Sequence, residues 1–116
     1  MISEFTFADG SGPPAGIYKA TFVGVSKTHH EEYGPGARFD FRIVGGEHDG
    51  RIASRTCKPQ PTAQNATGKL MQGLLGTAAK PGEKVNLATC IGKTYTVVVA
   101  LAKNGTSTRV ESCIPA

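Results

Sequence analysis

The stretch Ala37-Arg38-Phe39-Asp40-Phe41-Arg42-Ile43-Val44 alternates apolar and charged side chains without a break. Successive side chains of a strand point to opposite faces, so Phe39, Phe41 and Ile43 share one face and Arg38, Asp40 and Arg42 the other. This predicts a strand buried on one side only, as in an antiparallel sheet. Working outward, Gly45-Gly46-Glu47-His48-Asp49-Gly50 reads as a turn. Arg51–Lys58 (RIASRTCK) then pairs back as a third strand, with an open register because Ile52 is its only large aliphatic residue. On the N-terminal side, Ile17–Lys27 (IYKATFVGVSK) is rich in β-formers and free of proline, and Gly24 inside it signals a bulge or sharp bend. The polar run Thr28–Gly36 between these strands reads as a loop.

Downstream, Pro59-Gln60-Pro61 stops the sheet. Asn65 is placed to cap a helix over Ala66–Leu75 and Gly76 to end it. Leu70, Met71, Leu74 and Leu75 fall on one helical face, whereas Gly68 and Gly73 weaken the helix, which must then be held by docking. Asn86–Gly92 reads as one capped helical turn, and Thr94–Ala102 (TYTVVVALA) as the strongest strand of the chain. Asn104-Gly105 is a hairpin signal, followed by a last strand over Thr106–Ile114. The order strand, strand, strand, helix, strand, strand predicts an all-β domain with one helix. The helix falls between strands 3 and 4, as in the OB-fold, a five-stranded, partly open Greek-key barrel. An SH3-like barrel lacks that helix, and a ferredoxin-like fold needs a second one. Residues 1–16, with the breaker cluster Asp9–Gly16, are expected to form a flexible arm, and residues 17–116 the OB-fold domain.

The chain has 116 residues, 39% of them apolar and 19% charged, which suits one packed core. No stretch approaches the roughly 20 apolar residues of a membrane-spanning helix, and Met1-Ile2-Ser3-Glu4-Phe5 is unlike a secretion signal. Cys57, Cys90 and Cys113 are too few and too scattered for a disulfide framework. The expectation is a reduced, cytoplasmic domain with no membrane partner. Thirteen Lys and Arg against nine Asp and Glu give +4. The first sixteen residues carry only Glu4 and Asp9, so the remainder carries +6. Four of the five arginines lie in one window, Arg38, Arg42, Arg51 and Arg55, followed by Lys58. Arginine suits phosphate forks and stacking on bases, although the same charges also suit an ordinary solvated sheet face.

Several chemistries find no footing. His29-His30-Glu31-Glu32 and His48-Asp49 lack the spacing of a zinc site and read as polar loops. Gly92-Lys93-Thr94 resembles the end of a phosphate loop, but Leu87 stands where the first glycine belongs, and a strand follows instead of a helix. No paired carboxylates or nucleophile elbow have a supporting context. The chain therefore reads as a non-enzyme needing no cofactor and no metal. A nucleic-acid face fits better. If Arg51, Ala53 and Arg55 point outward, they join Arg38 and Arg42 on one wall, with Lys58 at its end. Lys27, Tyr33 and Lys103 from flanking loops complete the expected contacts. Stacking platforms are scarce. Phe22, Phe39, Phe41, Tyr95 and Tyr18 are expected in the core, leaving Tyr33 and the arm's Phe5 and Phe7.

Gly16-Ile17-Tyr18-Lys19-Ala20, Gly34–Val44, Gly50-Arg51, Leu74-Leu75-Gly76, Ile91–Tyr95 and Thr108-Arg109-Val110 together resemble small OB-fold single-stranded DNA-binding proteins of bacteriophage and prophage replication modules. The likeness spans roughly residues 16–115 and rests mostly on strand and turn positions. It implies sequence-tolerant binding of single strands, DNA rather than RNA, in DNA replication or recombination, with no catalysis and no cofactor. The chain departs from that pattern in having no tryptophan and no acidic C-terminal run. The alternative expectation is a protein-interaction or assembly module on the same barrel, a homo-oligomer joined through the open barrel edge or through a strand-four face of Val97, Val99 and Leu101.

Overall fold

The computed structural model describes residues 13–30, 34–59, 65–77, 86–102, 105 and 107–116. Five strands, β1 (Gly16–His30), β2 (Gly34–Ile43), β3 (Ile52–Cys57), β4 (Thr94–Leu101) and β5 (Thr108–Pro115), form one antiparallel sheet in the order β3-β2-β1-β4-β5. The helix α1 (Ala66–Leu75) lies between β3 and β4 in the chain. β1 is long enough to serve two partners, with Gly16–Thr21 on β4 and Ala20–His30 on β2. The register slips between Phe22 and Gly24, where Gly24 takes φ 149°, so the anticipated bend is present. The two end strands of the sheet come back toward each other: Arg55 of β3 donates from Nη1 to the Val110 carbonyl of β5 at 3.2 Å. The sheet is therefore curled, but no ladder joins β3 to β5 among the described residues and it does not close.

Alternation decides what the curl encloses. Ala20 and Phe22 of β1, Phe39, Phe41 and Ile43 of β2, Tyr95, Val97 and Val99 of β4 and Val110 of β5 are buried together. The Phe22 and Phe41 rings lie 5.3 Å apart at a tilt of 51°, a geometry that aromatic pairs favour. Tyr18 lies on the same parity but is only half-buried at the margin. Val97 and Val99 are core residues at 0% and 2% exposure while Leu101 is 60% exposed, so the expected association face of these three does not exist as a surface. The outward side of β4 carries Thr96 and Val98 instead.

The helix is built as its sequence specifies. The Asn65 side chain accepts from the Gly68 N–H at 2.8 Å, and Gly76 (φ 76°) donates its N–H to the Gln72 carbonyl at 2.9 Å. Leu70 and Leu74 are buried, with Met71 and Leu75 partly so. Docking is tight: a methyl group on Gly73 would lie 2.2 Å from the Cys113 carbonyl oxygen. Tyr95 Oη donates to the Leu74 carbonyl at 2.8 Å, and the Thr67 hydroxyl donates to the Lys58 carbonyl. The capped turn is a short 3-10 segment, Ala88–Cys90, in which the Asn86 side chain accepts from the Ala88 N–H at 2.9 Å.

One boundary differs from expectation. The β1–β2 hairpin runs on through Thr28–His30 and Gly34–Gly36, which read as a loop in sequence. Pro35 is tolerated because β3 pairs with β2 only as far as Ala37, so no ladder bond is lost on that side. At the other end, residues 13–16, read in sequence as the end of an arm, make contacts with the rest of the chain. Pro13 is buried, its carbonyl accepts from the Thr108 hydroxyl at 2.6 Å, and Tyr18 Oη donates to the Pro14 carbonyl at 2.6 Å. No helix among the described residues is long and apolar enough to cross a membrane.

Candidate nucleic-acid interface

The paired registers set out a small grid on the outward side of β1, β2 and β3. Its rows are Thr21–Arg42–Ile52, Gly24–Asp40–Ser54 and Ser26–Arg38–Thr56. Arg38 and Arg42 thus rise from a floor of small polar residues, bulky only at Ile52. They stand four residues apart on one strand, about 13 Å, too far to grip one phosphate and spaced to meet different ones. Asp40, between them, is already engaged. Its Oδ1 accepts from the Ser54 hydroxyl at 2.8 Å and lies 3.2 Å from Arg38 Nε. Lys19 extends the row of cations: it stands two residues before Thr21, so the pleat puts it on the same side of β1, and its carbonyl accepts from the Val44 N–H. Lys19, Arg38 and Arg42 are all exposed and face one carboxylate, leaving a net +2 on this wall.

Arg55 does not join them. The β2–β3 register sets Ala53 opposite Phe41 and Arg55 opposite Phe39, so both belong to the inward side. Ala53 is 1% exposed, while Ile52 points outward at 42%. The cause lies in the turn. Ile43 donates to the Arg51 carbonyl while its own carbonyl accepts from Gly50, so Gly50 and Arg51 together oppose Ile43. This is a β-bulge with a glycine at φ 85°, and it sets the inward parity for Arg51, Ala53, Arg55 and Cys57. Small Ala53 fits beneath the aromatic pair, and Arg55 is accommodated because it lies at the open edge. There it reaches the Val110 carbonyl and lies 3.5 Å from Glu111. Burial, then the nearby Arg109, lower its pKa from the ordinary arginine value, against the opposing pull of Glu111. The shared wall of Arg38, Arg42, Arg51 and Arg55 is therefore split between two sides.

Of the flanking residues, Lys27 is exposed opposite the buried Ala37, on the parity opposite to the grid, and Lys58 is exposed just past β3. Tyr33 and Lys103 lie outside the described residues, as do Phe5 and Phe7. Among the described residues the nine-position grid carries no aromatic ring, and no three His, Cys, Asp or Glu side chains form a set that could hold a metal ion. Lys19 is the residue that sequence reading passed over. The signal was present, because Lys19 alternates with Tyr18, Ala20 and Phe22. Compared with known proteins, the chain matches no family model, no curated protein and no solved structure.

Proposed function

We propose that this is a non-enzymatic OB-fold protein that binds single-stranded nucleic acid, DNA before RNA, along the outward side of β1, β2 and β3. The observation that carries the reading is the cationic row Lys19, Arg42 and Arg38 above a floor of Thr, Ser and Gly side chains. OB-folds use the face of strands 2 and 3 for oligonucleotides. The strand order and the helix between β3 and β4 agree with that architecture, with the seam between β3 and β5 as the open part of a partly open barrel. Cations neutralise phosphates and release counterions. With no ring on the grid, binding is backbone-dominated and indifferent to sequence, and it suits a coating role in phage-type DNA replication or recombination.

The test is a titration of a fluorescent oligothymidylate at two salt concentrations. Binding that weakens with salt, and that the joint change of Arg38 and Arg42 to alanine removes, supports the reading. No binding at low salt rejects it. One observation favours a second reading, a protein-interaction module: Ile17 and Ile114 are 72% and 60% exposed on the outward side of β1 and β5, Ile17 opposite Val98 and Ile114 opposite Thr96 of β4. A particle larger than one chain in solution, reduced to one chain by Ile17→Lys, would favour it.

A further inference from the structure

We propose that the gap between β3 and β5 holds an oxyanion of the phosphate class, gripped by Arg55 and Arg109. The proposal does not rest on strand binding by the opposite face. Arg55 and Arg109 are 12% and 29% exposed, and the Nε–H of each is buried without a hydrogen-bond acceptor. They share one carboxylate. Glu111 Oε2 lies 3.5 Å from Arg55 Nη1 and 3.5 Å from Arg109 Nε, both longer than the roughly 2.7–2.9 Å of a charge-assisted hydrogen bond. Two partly buried guanidinium groups thus face one distant carboxylate, a net positive site with unmet donors. Such donors are costly to leave unpaired.

Arg109 lines a cleft of about 150 Å³ together with the polar Ser54 and Thr108 and the apolar Ile52, Ala53 and Val99; Arg55, its partner at Glu111, stands outside these walls. A cavity of this kind needs only about 10–15 Å³ to hold one water, so a tetrahedral oxyanion fits with water to spare. The excess positive charge rejects a cation. A purely structural clasp between the two edges accounts for less. Arg55 Nη1 on the Val110 carbonyl already makes that clasp, and it uses neither Nε and not Arg109. A planar guanidinium presents Nε–H and a terminal N–H side by side to two oxygens of one anion. The shared chemistry is a phosphate oxygen pair, whether of a free or monoester phosphate or of a strand's phosphodiester.

The test follows the arginine Nε–H resonances of the ¹⁵N-labelled full chain during titration with inorganic phosphate, with chloride holding ionic strength constant. Two of them should shift saturably. Arg109→Lys, which keeps the charge and removes the fork, should weaken binding by about tenfold or more. Glu111→Gln, which removes the competing carboxylate, should tighten it by about tenfold, an outcome a structural clasp would not give. Absence of a saturable shift in the unaltered chain, or no tightening in Glu111→Gln, overturns the proposal. An oligothymidylate arm identifies the source. Shifts at the same resonances that phosphate competes away mean a strand's backbone; unmoved resonances mean a free or monoester phosphate. Both outcomes support an oxyanion site. Phosphate binding without any oligothymidylate binding would sink only the strand-binding reading.

Discussion

Arg42→Ala and Arg55→Ala should act on different properties, because the two side chains lie on opposite sides of one sheet. Arg42 is exposed in the cationic row. For single strands, the logarithm of affinity falls against the logarithm of salt with a slope of about −0.7 per phosphate neutralised. Lys19, Arg38 and Arg42 together give a slope of about −2, so a tenfold rise in salt weakens binding by roughly a hundredfold. Removing Arg42 should bring the slope to about −1.4 and leave folding stability within about 0.5 kcal/mol. Arg55 is inward, and its loss removes the bond to the Val110 carbonyl, at a cost of about 1 kcal/mol of stability. The salt slope should not change. Fluorescence anisotropy with an oligothymidylate at several salt concentrations gives the slopes, and urea denaturation gives the stabilities. If Arg55→Ala flattens the slope as Arg42→Ala does while oligothymidylate leaves the Arg55 and Arg109 Nε–H resonances unmoved, the β2–β3 register described above does not govern binding, and the single arginine wall returns.

Three other changes have outcomes set by local geometry. Gly73→Ala gains about 1 kcal/mol of helix propensity, but its methyl would sit 2.2 Å from the Cys113 carbonyl oxygen. Overpacking against backbone costs roughly 2–3 kcal/mol, so urea denaturation should show a net loss. Asp40→Asn removes the only carboxylate of the grid and should tighten oligothymidylate binding about two- to fivefold, the worth of a surface ion pair. Burial, then the neighbouring Cys90, push the Cys113 thiol up to about 12 from 9.0. A group whose pKa is raised by folding keeps its full contribution below the unfolded value and loses it as pH climbs through the folded one. Stability should therefore hold to about pH 9 and fall toward pH 12, with a shallower fall in Cys113→Ala; an equal fall in that variant would place the cause elsewhere.

The strands that read correctly are those in which large apolar residues occupy one parity alone. β2 has Phe39, Phe41 and Ile43 on one side, and β4 has Tyr95, Val97 and Val99. The helix caps Asn65 and Gly76 and the bend at Gly24 were legible because each serves a backbone need that few residues meet. β3 failed because its apolar residues conflict. Ile52 argues for one parity, Ala53 and Cys57 for the other, and bulk misleads because the buried residue opposite Phe41 is the small Ala53 while the larger Ile52 is exposed. The hairpin extension failed for a different reason. Beyond Ala37 β2 has no β3 neighbour to pair with, so no alternation is imposed on Thr28–His30 and Gly34–Gly36.

The misread strand has a consequence for what the domain can bind. A strand at the open edge of a curled sheet has half of its inward side over the core and half over the gap. Ala53 meets the core and Arg55 meets the gap, on the same parity two residues apart. The edge therefore tolerates a charge where a central strand would not, and the charge it tolerates is partly desolvated. On the proposed function, outward arginines such as Arg42 would hold a loose polyanion by neutralising it in water, where each contact is weak and screened. An arginine pair at the gap acts where water is scarce and each contact is stronger but limited to one group. The split of the arginines by the Gly50 bulge thus divides the basic charge into a diffuse exposed row and a confined pair. The two differ in how they respond to salt, so affinity for a strand should fall steeply with salt while occupancy of the gap by phosphate falls little.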